Sequence, residues 1–299
     1  AFKVSQISKK LNYPINCIAI PKTVDNDLAL TDCCPGFGSA AKYIATSTLE
    51  ASLDVQSMSE TSTKVFILEV MGRHAGWMAA SSALARSEKG DAPHIILLPE
   101  ITFNQKNFLL TIKKIVKKNG FCVVVVSEGV KNSKGKFLSE SSTKDAFGHA
   151  QLGGVAPYLA KLVSEKLKLK NHWAVSDYLQ RSARHIASKT DLNHAEAVGV
   201  YAVKYAVQGM NGVMPIIVRG KGKKYSWKIE PALLSKIANL EKKLPKAFIG
   251  KNGMDVTSKA INYLSPLIEG ESFPHFKKGI PEIKKLKLIE VKKKLPLWR

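Results

Sequence analysis

The densest group of reactive side chains lies at residues 21–27, PKTVDND, where Asp25 and Asp27 stand two residues apart. An ammonium group (Lys22) and a hydroxyl group (Thr23) precede the two carboxylates. This combination suits a general base held beside an anionic substrate, with the cation offsetting negative charge. It is equally typical of an Asp-rich turn that caps the following helix, because Asp and Asn are common cap residues. The residue types alone leave both interpretations open.

Three further polar clusters lie at residues 71–73, 127–129 and 178–184. The first combines a glycine, which lets backbone approach closely, with Arg73, a planar clamp for phosphate. The second contains Glu128, which could accept hydrogen bonds from sugar hydroxyls or simply end a strand. The third offers a phenol, an amide and two guanidinium groups, which suit a phosphorylated ligand, although alone it is more typical of a surface turn. Together the clusters indicate phosphoryl transfer, where positioning and charge neutralisation supply most of the catalysis.

The elements that position these clusters are predicted from hydrophobic patterning. Short apolar runs rich in β-branched residues predict buried parallel strands at 15–20, 64–70, 94–98, 121–127 and 214–218. Amphipathic segments predict helices at 37–53, 75–86, 105–118, 154–167, 194–207 and 231–243. This alternation indicates an α/β fold with helices covering a mostly parallel sheet. Ligands bind beyond the carboxyl ends of such strands, and three of the four clusters directly follow a predicted strand.

Composition and charge restrict the partners of the chain. Its 299 residues contain 46 Lys and Arg against 24 Asp and Glu, a net charge of +22, yet only six of the basic residues are Arg. Reading nucleic-acid bases depends on Arg, so we expect a solvated Lys-rich surface and no nucleic-acid partner. No run reaches the roughly 18 apolar residues that cross a bilayer, so we expect no membrane partner. The four cysteines form no CxxC pair, which predicts a reducing, cytoplasmic location.

In order and spacing, the four clusters resemble the phosphofructokinase family. Lys22 makes the chain resemble the diphosphate-dependent branch, which carries Lys at this position, whereas bacterial ATP-using members usually carry Gly there. The resemblance extends from about residue 14 to at least residue 219. It implies two similar Rossmann-like three-layer α/β domains with mostly parallel sheets, the first of them incomplete. The implied first domain comprises 1–35 and 180–250, and the second comprises 36–179 and 251–299.

The resemblance also implies a reaction. A phosphoryl group would move reversibly from diphosphate to the 1-hydroxyl of fructose 6-phosphate, giving fructose 1,6-bisphosphate, as a step of glycolysis. Mg²⁺ is the implied cofactor, with its main Asp ligand expected upstream of Ala1, and a homodimer or homotetramer is the implied assembly. An ATP-dependent 6-phosphofructokinase is an alternative. A non-catalytic truncated paralogue or a basic nucleic-acid-binding protein is another.

Residue roles follow from the same resemblance. Asp25 would take the proton from the sugar's 1-hydroxyl, Thr23 would contact the transferring phosphoryl group or the sugar, and Lys22 would stabilise that group. Lys22 would also fill space that an ATP α-phosphate needs. Glu128 would bind sugar hydroxyls, and Arg73 would lie near both the sugar phosphate and the transferred group. The remaining implied binding residues are Val24, Met71, Gly72, Tyr178, Leu179, Gln180 and Arg181, with Tyr178 and Arg181 closing on the 6-phosphate, and Asp27 supports the charge network near the metal.

The sequence departs from the family pattern in three places. Where bacterial ATP enzymes have two arginines that reach the 6-phosphate from a neighbouring subunit, this chain has Lys64 and His172. Lys64 keeps the charge without the guanidinium fork, so we expect it to support the site, whereas His172 makes the second contact doubtful. The glycine-rich GGxxxG and GGD-type motifs that bind the donor phosphates are missing. With Ala1 as the first residue, we expect a fragment or one half of a split gene.

Overall fold

The computed structural model of the chain describes residues 1–88, 90–138, 140–144, 150–152, 154–222, 224–290 and 292. The helices are α1 (Phe2–Lys10), α2 (Phe37–Met58), α3 (Trp77–Ser81), α4 (Gln105–Asn119), α5 (Val155–Leu167), α6 (Leu179–Ser182), α7 (Lys189–Val207) and α8 (Ser258–Leu264). The strands are β1 (Val65–Val70), β2 (Ile95–Leu97), β3 (Cys122–Ser127), β4 (Glu140–Lys144), β5 (Ala150–Leu152), β6 (Asn171–Val175), β7 (Val213–Arg219), β8 (Trp227–Leu233), β9 (Phe276–Lys277) and β10 (Ile280–Pro281).

A four-stranded parallel sheet in the order β2-β3-β1-β6 forms the centre of the molecule. Successive residues of its strands face opposite sides, as strand geometry requires. Along β1, Leu68 and Val70 belong to the core that packs against α2 and α3, whereas Val65 and Ile67 belong to the core against α4 and α5. Both faces of the sheet are therefore covered by helices. This arrangement confirms the predicted α/β class with a parallel sheet.

A second, smaller sheet consists of the antiparallel pair β7 and β8. It has its own apolar cluster, in which Met214, Ile216, Leu234 and Ile237 are buried. Residues near the start of the chain complete this cluster: Phe2, Ala19 and Leu28. The first and the last thirds of the chain thus share one core.

Two predicted elements were wrong, and a third, the strand at 214–218, forms as part of β7 but pairs antiparallel with β8 and not in a parallel sheet. The run 15–20 is not a strand, because only Ile18 pairs with β7, through an isolated bridge to Val213, and half of the run is exposed. The predicted helix 231–243 begins as part of β8 and continues into a short 3₁₀ turn, Leu234–Lys236. Cross-strand pairing with β7 overrides the helical pattern there, and Pro231 is tolerated because β8 pairs on one side only. No helix in the described part of the chain is both long and apolar enough to cross a membrane.

Candidate active site

The PKTVDND segment forms a tight loop rather than a helix cap. The hydroxyl of Thr23 accepts a hydrogen bond from the Asp25 amide at 3.1 Å. Asn26 is fully buried with φ of 53°, so the two acidic residues beside it lie on either side of a left-handed turn. The following helix, α2, begins only at Phe37, and a carboxylate from elsewhere in the chain holds its first amides. The Asp-rich loop is thus free to face a ligand.

The glycine-containing loop after β1 and the acidic loop after β3 pack against each other, because those strands are neighbours with Val70 opposite Ser127. The amide of Gly72 donates to Glu128 Oε1 at 3.3 Å, and the hydroxyl of Ser127 donates to the Gly72 carbonyl. A Cβ on Gly129 would lie 1.9 Å from the carbonyl oxygen of Arg73, so only glycine fits there. The contact fixes the backbone that carries the arginine.

A third segment joins these loops from α6. The side-chain oxygen of Gln180, which is buried, accepts a hydrogen bond from the Met71 amide at 3.2 Å. Tyr178, Leu179 and Arg181 are exposed around it, and the guanidinium carbon of Arg181 lies 4.1 Å from the centre of the Tyr178 ring. The structure therefore brings the beginning of the predicted cluster at 178–184 to the loop that follows β1.

Asp25 has an environment suited to a base. Burial is the main cause that raises its pKa to about 6, and the negative charge of Asp27 adds to the effect. The charges of Arg73, His74 and Lys22 act in the opposite direction. Because a base is most effective when its pKa lies near the working pH, this shift increases the ability of the carboxylate to take up a proton. The opposing cations also place Asp25 in the electrostatic field of the loop after β1.

Glu128 belongs to the same electrostatic cluster. Its pKa is raised to about 7, mainly by burial, and the charges of Asp25 and Glu69 act in the same direction. The Gly72 amide and the charge of Arg73 lower it. A carboxyl group whose pKa lies near 7 accepts hydrogen bonds from hydroxyl groups when it is ionised. When it is protonated, it can also donate one. Asp25, Arg73 and Glu128 thus influence one another although three separate strands or loops supply them.

Lys22 stands at the exposed edge of this site. It lines a cavity of about 420 Å³ together with Gln180, Arg181 and Arg184, next to the beginning of α2. Val24 faces the other way, into the main core. The cavity presents positively charged side chains to an anionic ligand. The sequence predicted such side chains for phosphate binding.

Lys64 is not brought to this site within one chain. It precedes β1, whereas Met71 follows that strand, so the length of the strand separates them. Its ammonium group donates to the carbonyl oxygens of Ser59 and Glu60, just after the end of α2. His172 lies on the edge strand β6, opposite Phe66, and is exposed. A supporting role for Lys64 at the site stays a prediction about an assembly of chains.

Two buried carboxylates that hold the beginnings of helices were not predicted from the sequence. Glu69, at the end of β1, accepts hydrogen bonds from the amides of Gly154 at 3.1 Å and Ala156 at 2.8 Å, where α5 begins. Asp191 does the same for the beginning of α2, and burial raises the pKa of both carboxyl groups. A charged residue inside an apolar strand was the one available signal for Glu69. Among the residues described, no group of three or more His, Cys, Asp or Glu side chains could hold a metal ion.

Comparison with known protein families assigns residues 2–206 to the model described as Phosphofructokinase. The chain is 55% identical over 297 residues to the pyrophosphate–fructose 6-phosphate 1-phosphotransferase of Halomonas elongata, covering 99% of this chain and 71% of that protein. It is 55% identical over 300 residues to the enzyme of the same name from Xanthomonas campestris, covering 100% of this chain and 72% of that protein.

A solved structure shows the same likeness in three dimensions. The chain superimposes on the pyrophosphate-dependent phosphofructokinase from Marinobacter aquaeolei with a TM-score of 0.90 and 55% sequence identity. The superposition covers 99% of this chain and 71% of that one. The fold described above is therefore similar to that enzyme along nearly all of this chain.

The contact between the loops after β1 and β3 can be tested by replacing Gly129 with Ala. The added Cβ would overlap the Arg73 carbonyl, so the backbone of one loop must move, and we expect a loss of about 1–3 kcal/mol in the free energy of unfolding. Urea denaturation measures it. The matched control is Gly199→Ala in α7, where a Cβ meets no atom within 4 Å. Equal stability of the two variants would contradict the close approach.

Proposed function

This chain is a member of the phosphofructokinase family, and from that membership we propose that it transfers a phosphoryl group from diphosphate to fructose 6-phosphate. The product is fructose 1,6-bisphosphate, and the reaction is reversible. The observation that carries the proposal is 55% identity, over 99% of the chain, to an enzyme named for this reaction. The geometry agrees with it, because a buried carboxylate with a raised pKa lies among cations at the carboxyl ends of parallel strands.

In the proposed mechanism, Asp25 acts as the general base. Its carboxylate takes the proton from the 1-hydroxyl while that oxygen forms a bond to the phosphorus of diphosphate, and the bond from phosphorus to the departing phosphate breaks. Arg73 and Lys22 would offset the negative charge on the transferring group, and Thr23 would contact it. The influence of both cations on the pKa of Asp25 supports this arrangement.

The sugar would be held by the loops around the base. Glu128 would bind sugar hydroxyls, and Met71 with Gly72 would contact the sugar phosphate, in keeping with the hydrogen bonds that fix these two amides. Tyr178 and Arg181 would bind the 6-phosphate, supported by their exposure and by the stacking of one on the other. Leu179 and Gln180 are proposed contacts of the same site, and Val24, whose side chain packs against the main core, would contact it through its backbone.

A divalent metal fits the donor chemistry of the site, and we propose Mg²⁺. This ion keeps several waters and is held by one or two carboxylates together with substrate phosphates, so a dedicated cluster of protein ligands is not required. Asp27, whose pKa burial raises, is the carboxylate beside the base that would support it. When bound, the ion neutralises charge on the diphosphate oxygens.

The relatives favour diphosphate over the alternatives. Both curated relatives named above carry pyrophosphate in their names, and neither an ATP-dependent kinase nor a non-catalytic protein has a comparable observation in its favour. Lys22 supports the same donor because its ammonium group can bind a phosphate oxygen directly. An assembly of two or four chains and a cytoplasmic location stay predictions of the sequence.

We also propose the division into two domains that the family resemblance implies. Residues 1–35 with 180–250 would form the first domain, which is supported by the apolar cluster that joins Phe2 and Leu28 to β7 and β8. Residues 36–179 with 251–299 would form the second domain around the four-stranded sheet. The proposed substrate site lies where loops of both meet.

Replacing Asp25 with Asn tests the base directly. The amide keeps the size of the side chain but cannot take the proton, so we expect kcat to fall by about 10²–10⁴-fold with little change in stability. The measurement is formation of fructose 1,6-bisphosphate from diphosphate and fructose 6-phosphate. Asp54→Asn, an exposed position in α2, is the matched control. Full activity of the Asp25 variant would refute its role.

The pH dependence gives a second test. Because Asp25 must be ionised to accept a proton and its pKa is raised to about 6, kcat/KM is expected to fall about tenfold per pH unit below that value. Rates between pH 4.5 and 8, with stability checked at each pH, provide the profile. An acid limb centred at the ordinary value of 3.8 would contradict the proposed environment of the carboxyl group.

Donor choice is tested with Lys22→Gly. Removing the ammonium group is expected to lower kcat/KM for diphosphate by about 10²-fold, the usual effect of losing one charge-stabilising donor, and to leave KM for fructose 6-phosphate nearly unchanged. Steady-state kinetics with each substrate varied separately would measure both. Lys134→Gly, in an exposed turn, is the control. Undiminished use of diphosphate would rule out this role for Lys22.

A further inference from the structure

Lys242 follows the smaller sheet and directs its ammonium group into the protein. The group donates three hydrogen bonds: to the side-chain oxygen of Asn26 at 3.1 Å, to the carbonyl of Thr31 at 3.0 Å and to the carbonyl of Asp32 at 2.8 Å. All three acceptors are neutral oxygens. Burial lowers the pKa of this lysine. The charges of Asp32 and Asp27 act in the opposite direction, but an ammonium group that is hydrogen-bonded only to neutral oxygens is still expensive to bury. Packing alone does not account for a cation at this place.

The backbone of Lys242 holds the same region from a second direction. Its amide donates to the carbonyl of Asp27 at 2.6 Å, and its carbonyl accepts the indole N–H of Trp77 at 2.9 Å. The preceding residue, Glu241, contacts His74 Nδ1 at 2.6 Å. One short segment therefore ties the Asp-rich loop to the segment that follows Arg73.

Asn26 connects this lysine to the proposed base. It stands directly between Asp25 and Asp27, is fully buried, and has the left-handed φ of 53°. Its side-chain oxygen is shared by the ammonium group of Lys242 and the amide of Cys34, which donates at 3.0 Å. Because neighbouring residues share a peptide plane, a rotation of Asn26 redirects Asp25 as well. The orientation of the carboxylate thus depends on what holds Asn26.

We propose that Lys242 is a positioning residue for phosphoryl transfer: its ammonium group fixes Asn26, and through Asn26 it fixes the direction of the Asp25 carboxylate. The inference rests on the proposed function, in which Asp25 is the base. Lys242 acts through Asn26 and is not assigned a contact with substrate. The groups proposed to bind the sugar, Arg73 and Glu128 among them, lie on other loops. Loss of the lysine should therefore impair the chemical step more than substrate binding.

Lys242→Met separates this role from packing. Methionine keeps the length of the side chain and its contact with Trp77, whose ring centre lies 5.1 Å from the ammonium group, but it removes the charge and the three donors. We expect kcat to fall by about 10²-fold, the effect of a small misplacement of a reacting group. KM for fructose 6-phosphate should change by less than about threefold. Lys243→Met, at the exposed neighbouring position, is the control and should leave both parameters unchanged.

A double-mutant cycle tests whether Lys242 works through Asn26. Asn26→Gly removes the shared acceptor, and glycine adopts a positive φ without strain. If the two residues form one unit, each single variant lowers kcat and the double variant is no worse than the poorer single. Losses that multiply in the double variant, or an unchanged kcat in Lys242→Met, would overturn the proposal.

Hydrogen exchange keeps this proposal distinguishable from the proposed function. In the Lys242→Met chain, two amides should lose protection: that of Cys34, which donates to Asn26, and that of residue 242, which donates to the Asp27 carbonyl. The Lys243→Met chain should match the parent. A parent chain that makes no fructose 1,6-bisphosphate would refute the proposed function. The exchange result would still show whether Lys242 holds Asn26 in place. Unchanged protection of Cys34 in Lys242→Met would overturn the positioning role even in an active enzyme. Where Lys242→Met does not fold, Asn26→Gly provides the same kinetic and exchange readouts.

Discussion

The parallel pairing of β1 with β3 is the constraint on which the candidate site depends. Their register places Val70 opposite Ser127, so the loops that follow both strands leave the sheet at the same edge. Two loops can pack that closely only where side chains are absent, which explains glycine at position 129 against the Arg73 carbonyl. The position of the arginine beside the buried acids is thus a consequence of strand register.

Buried carboxylates serve two separate purposes around this sheet. Glu69, Asp191 and the half-buried Glu100 each accept backbone amides at the beginning of a helix, where the helix dipole favours negative charge. They fix α5, α2 and α3 relative to the strands. Asp25 and Glu128 are largely buried as well, but the charges of other residues of the site also act on them. The first group holds the scaffold, and the second is available to a ligand.

Local patterns were sufficient for three of the four strands of the central sheet and for β7, but insufficient for the contacts between distant segments. Strands β1, β2, β3 and β7 were predicted because continuous β-branched runs identify strands buried on both faces. The edge strand β6 was missed since His172 and Trp173 interrupt such a run. The bond between Asn26 and Lys242 joins positions 216 residues apart, and nothing near either residue signals the other. Motif residues could be named from the sequence, whereas the groups that orient them could not.

The large net charge of +22 says little about the site, because the charges that matter there act over a few ångströms. Burial alone would raise the pKa of Asp25 further, and Arg73 with Lys22 limits that rise. A diphosphate bound beside the same cations would neutralise part of their positive charge. Its own negative charge would favour the protonated form of the Asp25 carboxyl group. Donor binding and base strength are therefore linked through these two cations. An enzyme of this design needs a base whose direction is fixed by groups other than these two cations, and Lys242 with its three hydrogen bonds would fix it through Asn26.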